Sequence, residues 1–258
     1  MPALELLEQF GRFVDLALRT IAAFPFAVRR RPAELVRQFE RVAWGSLMIV
    51  IAAGVSIGLV TWLQARRQLA IYGLESTLPS VLAVSVVLEI GPIVAGLLVA
   101  GRMGAGLAAE LGSMTLTEEI DARTILGSPP IPNLVAPRTL ACALALPLLT
   151  VVIDASALLG ALSIEVAACG LSAQVFGQRA LDLLYLHDMV PATLKTAVFG
   201  LLVGLVGCWT GLNTDRSTEA VGRAATRSVV RAMLAVFAAN VLLVPTIQWA
   251  VAVSGWSS

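Results

Sequence analysis

The sequence predicts an all-α membrane protein, with an N-terminal interfacial amphipathic helix followed by five transmembrane helices and a short cytoplasmic helix between the second and third spans. Three observations carry this. Of 258 residues, 58% are hydrophobic and 14% charged, and the mean hydropathy is +0.86, which is more apolar surface than a soluble core of this size needs. Five apolar runs reach the roughly 20 residues that cross a bilayer as a helix. The runs are continuous and do not alternate with a polar face, which excludes a transmembrane barrel.

Residues 1–43 form the first predicted region and residues 44–258 the second. Leu6, Phe10, Phe13, Ala17, Ile21 and Phe24 recur at helical spacing opposite Glu5, Gln9, Arg12 and Arg19, the pattern of a helix lying along a membrane surface. No short apolar core precedes a small-residue cleavage site, so these residues do not read as a signal peptide. Pro25 and Pro32 bracket Arg29, Arg30 and Arg31, and a second short helix over Ala33 to Arg41 is expected to lead into the first span.

The spans are predicted at about 44–63, 79–111, 139–164, 192–212 and 229–253. With the arginine-rich segment in the cytoplasm, the segments around 113–137 and 213–231 are also cytoplasmic, and thirteen of the eighteen Lys and Arg residues fall inside, as the positive-inside rule requires. The amino terminus is then cytoplasmic and the carboxyl terminus outside.

The second span needs roughly 50 Å for its 33 residues as a helix, against roughly 30 Å of hydrocarbon, so it must tilt, bend or project. Gly91-Pro92 predicts a bend, because proline removes a backbone donor. Beyond it, Gly101, Ala105 and Ala109 form one small-residue row and Gly104, Ala108 and Gly112 another. Such rows allow close helix packing, within one subunit or at a dimer seam. Glu89 and Arg102 are charges within this apolar helix, so neither should face lipid. Glu89 suits a polar spot lining a substrate path or a structural hydrogen bond. Lys195, in the fourth span, is a possible partner by depth, with snorkelling to the interface as its alternative.

After this span, Thr115 with Glu118 three residues on reads as a capping box, Gly127 as a left-handed helix end, and Pro129 and Pro130 as a stop. A helix of about three turns is expected. Leu116, Ile120 and Ile125 would face the bundle and Glu118, Glu119, Asp121 and Arg123 a cytoplasmic partner.

Cys142, Cys169 and Cys208 have no paired spacing, so small packing residues are expected rather than a disulfide or metal site. His187 stands alone and is read as a surface residue. No phosphate-binding GxxxxGK[ST] loop and no GxSxG elbow occurs, so the chain is expected to have no catalytic residue and no cofactor of its own. No nucleic-acid partner is indicated.

The segments GVSIGLVTWLQ (Gly54 to Gln64), EIGPIVAGLLVAGRMGAGLAAELGSMTLTEEIDA (Glu89 to Ala122), APR (Ala136 to Arg138) and GRAATRSVV (Gly222 to Val230) resemble an MlaE-type permease over nearly the whole chain. The resemblance implies the membrane subunit of an ABC system that moves phospholipids or related lipids between the bacterial inner and outer membranes. It implies a homodimer, two P-loop ATPase subunits that bind ATP and magnesium, and a periplasmic MCE-domain lipid-binding protein; an additional cytoplasmic regulator is left open. It assigns ATPase coupling to Thr117, Glu118, Glu119, Asp121 and Arg123, and the lipid cavity to Glu89 and Lys195. It places the protein in the inner (cytoplasmic) membrane with a periplasmic carboxyl terminus.

Two departures limit the transfer. Leu88 stands before Glu89 where the family often has arginine, so headgroup preference is not carried over, and residues 127–132 are unusually rich in proline. Two alternatives from other classes are a proton-coupled secondary transporter using Glu89 and Asp154, and a scaffold that anchors other subunits.

Overall fold

A computed structural model describes the backbone of residues 2–253, with side chains described except at 2–6, 169 and 250–253. The expected roles of Glu5, Leu6 and the Cys169 side chain, and the placement of the carboxyl terminus, lie outside the described residues. The described chain is helical throughout: α1 Pro2–Ala22, α2 Phe24–Arg30, α3 Pro32–Ile71, α4 Glu75–Leu116, α5 Glu119–Ile125, α6 Ile131–Ala168, α7 Ala173–Leu181, α8 Leu186–Leu212 and α9 Thr218–Val253. Helices α3, α4, α6, α8 and α9 are each long and apolar enough to cross a membrane.

These helices outrun the expected spans. Helix α3 is unbroken over 40 residues, so the separate helix expected over Ala33 to Arg41 does not exist. Pro32 begins α3, where its missing donor costs nothing, and no later proline or glycine pair interrupts the run before Ile71. Likewise α9 starts at Thr218, eleven residues ahead of the expected Val229, and α7 fills part of what reads as an outer loop. Apolar runs mark only the hydrocarbon-length part of each helix; the polar ends remain helical.

Long-range contacts divide the chain into two compact units. One holds residues 1–42, 99–145 and 198–236, the other 43–98, 146–197 and 237–258. In the first, α1 presents Leu16 and Thr20 inward, and Phe13 meets Trp209 of α8 edge-on at 5.9 Å. Of the expected apolar stripe, Phe13, Ala17 and Phe24 are partly buried and Phe10 and Ile21 stay exposed, with Leu7, Val14 and Leu18 exposed beside them. Gly204 lies against Thr139, and Gly207 and Gly211 lie against Leu107 and Leu111. Cys142 and Cys208 are buried and free, as expected of small packing residues.

In the second unit, Trp62, Leu78, Leu82, Val86, Ala157, Ala161 and Phe176 form one apolar cluster. At its edge, Trp62 Nε1 donates to Glu165 Oε2 at 2.5 Å and the Arg66 guanidinium lies 3.3 Å from the same carboxylate, so the buried Glu165 is neutralised locally. Gly58 faces the Ala157 backbone and Gly160 the Val55 backbone, contacts that leave no room for a side chain.

The glycines therefore differ in what they tolerate. A Cβ on Gly200 would lie 2.8 Å from Ala143 Cα and closer still to the Cys142 carbonyl, whereas one on Gly104 would sit 3.6 Å from Ala232 Cβ. Gly200→Ala is expected to destabilise the purified protein by about 1–3 kcal/mol, the usual cost of overpacking, and Gly104→Ala to be near neutral. Melting temperatures in detergent check both; equal melting of the two variants would refute the contrast.

Candidate functional site

Helix α4 is the most irregular of the spans. Two wide π turns, Val86–Ile90 and Ala100–Gly104, interrupt its α-helical segments, and such turns cluster at functional sites. The first falls immediately ahead of Gly91-Pro92, where a bend is expected from sequence. Pro92 has no N–H to offer the Leu88 carbonyl four residues back. Lys195 of α8 supplies that donor: its Nζ lies 2.8 Å from Leu88 O and 3.1 Å from Glu89 Oε2.

The pair is asymmetric. The Lys195 side chain is 2% exposed and the Glu89 side chain 41%. Lys195 is thus held inside and does not snorkel, while Glu89 presents an oxygen outward. The acid and the lysine expected to line a substrate path are brought together. Asp154 of α6 is also buried; its Oδ1 has no hydrogen-bond partner among the described residues and lies where a Cβ on Gly91 would stand. A side chain at 91 would require Asp154 to shift.

The segment after α4 departs from the expected capping box. Thr115 lies inside α4, its hydroxyl donating back to Leu111 O at 2.9 Å, and the helix continues to Leu116. Glu118 adopts φ 59°, ψ 14°, left-handed and non-glycine, which separates α4 from α5 and costs about 1 kcal/mol or more. Helix α5 therefore has seven residues, about two turns, rather than three. Its far end is as expected: Gly127 is left-handed, Gly127 N–H donates to Thr124 O and Ser128 N–H to Arg123 O, the Schellman pattern.

Ile125 does not face the bundle. It is 85% exposed and Leu126 83%, giving α5 an apolar tip. Arg216, in the turn before α9, donates to Glu118 Oε1 at 2.7 Å and Asp121 Oδ2 at 2.6 Å, and Arg123 donates to Glu119 at 2.6 Å. These exposed pairs are individually worth about 0.2–1 kcal/mol; the two from Arg216 tie α5 to the turn before α9, whereas Arg123–Glu119 lies within α5. Thr117 is exposed, its hydroxyl turned back to Ser113 O.

Of the small-residue rows, Gly104 faces Ser228 and Ala232 of α9, Gly112 faces Val221, and Ala108 packs under Gly211. Gly101 approaches Met233, while Ala105 and Ala109 stay partly exposed. Arg102 is exposed.

Sequence reasoning missed Glu110. It accepts from Arg138 Nη2 at 2.5 Å and from Arg41, joining α4 to α6 and α3, and Arg138 also donates to Leu134 O. An acid beside the small-residue rows was the available signal. Nothing in the local sequence points to Arg216. Among the described residues no cluster of His, Cys, Asp and Glu could hold a metal ion.

Comparison with known proteins identifies the family. The family model described as Permease MlaE matches residues 35–245. A probable ABC transporter permease protein of Synechocystis sp. is 33% identical over 208 residues, covering 81% of this chain and 79% of that protein. One of Rickettsia typhi is 30% identical over 234 residues, covering 91% and 89%. The chloroplastic protein Trigalactosyldiacylglycerol 1 of Arabidopsis thaliana is 32% identical over 208 residues, covering 81% and 59%. This multi-pass membrane protein belongs to the MlaE permease family.

Proposed function

We propose that the chain is the membrane subunit of an ABC transporter that moves a phospholipid or related lipid between the bacterial inner and outer membranes. A separate P-loop ATPase holds ATP and magnesium and drives it, and a periplasmic MCE-domain protein exchanges lipid with it. The observation that carries this reading is the Glu89–Lys195 pair in the apolar helices α4 and α8. A half-exposed carboxylate on a buried lysine, beside a proline-broken turn, is a polar spot in apolar walls, the chemistry that meets a headgroup while the walls accept acyl chains. The lipid in the name of the Arabidopsis relative supports the substrate class.

Helix α5 is the proposed ATPase contact. Its apolar tip, Ile125 and Leu126, would enter a groove of the ATPase, with Thr117, Glu118, Glu119, Asp121 and Arg123 at the rim, and the Arg216 pairs would pass its movement to the α8–α9 turn. The π turns of α4 are places where that helix can change winding, altering the setting of Glu89. Two copies form a homodimer, and the partly exposed row Gly101, Ala105 and Ala109 is the proposed seam. Fourteen of the eighteen Lys and Arg residues lie in the unit that includes α5, which supports a cytoplasmic α5 and amino terminus in the inner membrane.

Mass spectrometry of the complex purified from its native membrane tests the assembly: an ATPase, an MCE-domain protein and an enriched phospholipid class are expected, and a protein that reproducibly purifies alone would sink the reading. Glu89→Gln should keep Lys195 hydrogen-bonded and the melting temperature unchanged while slowing lipid transfer about tenfold, roughly 1.4 kcal/mol. Lys195→Met removes the side-chain donor of the partly buried Leu88 carbonyl and should also lower stability by about 1–3 kcal/mol. Transfer at the normal rate in both variants would remove the pair from the path. Ile125→Asp with Leu126→Asp should cut ATPase co-purification about tenfold without loss of the dimer; unchanged recovery would place the contact elsewhere.

A further inference from the structure

A second polar site is built into the unit that holds the amino-terminal part of α3. A cavity of about 330 Å³ opens there between α3, α4, α5 and α6, and it shares no residue with the Glu89–Lys195 pair. Five arginines line it: Arg31, Arg37, Arg41, Arg123 and Arg138. Two acids, Glu34 and Glu110, oppose them, so the lining carries an excess of positive charge.

The acids are already engaged. Glu110 is shared by Arg41 and Arg138, and Glu34 accepts from Gln38 Nε2 at 2.8 Å. Arg37 has only Glu34 at 3.7 Å, and Arg31 makes no ion pair among the described residues. Each guanidinium carries five N–H donors, so donors far outnumber acceptors around this cavity. One buried donor of its lining, Arg138 Nε, also lacks a partner among the described residues, with Arg138 4% exposed. Such a surplus of forked donors matches a phosphate, whose oxygens accept bidentate pairs from arginine.

The site also lies at a defined depth along its helices. Arg41 is three residues ahead of Trp44, where the apolar run of α3 begins, and Arg138 stands immediately ahead of the apolar run of α6. Arginines at that level reach the headgroup layer, where anionic lipids concentrate.

We infer that this cavity binds a phosphate group, and that the anionic headgroup of a phospholipid from the adjoining leaflet is its source, at a site distinct from any transport path through Glu89. The guanidinium groups of Arg31, which makes no ion pair among the described residues, and of Arg37, which keeps only the 3.7 Å contact to Glu34, meet the phosphate oxygens. Arg138 and Arg41, braced on Glu110, form the floor. Because Arg123 belongs to α5, occupancy ties the short helix to the charge of the membrane surface.

Native mass spectrometry of the full chain in neutral detergent tests this, with dioleoylphosphatidylglycerol and dioleoylphosphatidylcholine as probes and sodium phosphate as competitor. The wild type should prefer the phosphatidylglycerol about tenfold, and Arg31→Gln with Arg37→Gln should remove about that factor while leaving phosphatidylcholine binding and the melting temperature unchanged. Arg31→Gln alone, which breaks no ion pair, is the second variant and should give a smaller loss in the same direction. Failure of millimolar phosphate to displace the lipid supports the headgroup as occupant; displacement supports a phosphate site filled from solution. Equal binding of phosphatidylglycerol to the wild type and both variants, or no binding of either phosphate probe, would overturn the inference.

Discussion

A polar group inside a bilayer has no water to fall back on, and the bond from Lys195 to the Leu88 carbonyl answers that constraint at the weakest point of the longest span. Pro92 breaks the backbone ladder of α4 and strands a carbonyl; the wide turn Val86–Ile90 relieves the crowding, and an ammonium from α8 fills the vacancy at 2.8 Å. The same ammonium then needs a counter-charge, which Glu89 provides. A single proline thus accounts for the turn, the buried lysine and the acid. Removing the lysine leaves both the Leu88 carbonyl and the Glu89 carboxylate without it, so local structure and the proposed headgroup contact are one arrangement.

Close approach of helix backbones is the second constraint. Without a hydrophobic force between helices in lipid, association depends on contact and on interhelical hydrogen bonds. Gly58 and Gly160 in one unit, and Gly200 and Gly204 in the other, put one backbone within van der Waals reach of the next. Charges between helices are handled the same way in both units: Glu165 is shared by Trp62 and Arg66, and Glu110 by Arg41 and Arg138. In each case one carboxylate serves two donors, which limits the cost of burying it.

What was legible in the sequence follows from the range of the interactions. The five spans could be read because hydropathy is a local sum, and the left-handed Gly127 because its signal lies within a few residues. The ends of α3 and α9 could not, since helices continue past the apolar runs that reveal them. Thr115 and Glu118 have the spacing of a capping box, yet the Thr115 hydroxyl is satisfied by Leu111 O within the same helix, and helix formation through Leu116 overrides the cap. Glu89 and Lys195 are 106 residues apart and could be related by membrane depth. Glu110 with Arg41, and Arg216 with α5, also pair across long separations, and the shared side expected for their segments does not single out one partner among many, so pattern alone could not join them.

The left-handed Glu118 gives α5 its mechanical character. A non-glycine residue at φ 59° is strained, and it persists because its carboxylate and that of Asp121 converge on Arg216. Had α4 simply continued, Ile125 and Leu126 would have followed the helix axis; the break turns them outward at 85% and 83% exposure. A glycine at 118 would remove the strain and also the carboxylate that holds α5 to the α8–α9 turn, leaving a hinge in place of a fixed joint. In the proposed coupling, a fixed joint would transmit displacement from a docked partner to two segments of the chain at once, and a hinge would absorb it. The strain at Glu118 is therefore the local cost of a rigid connection between the exposed tip and the helices behind it.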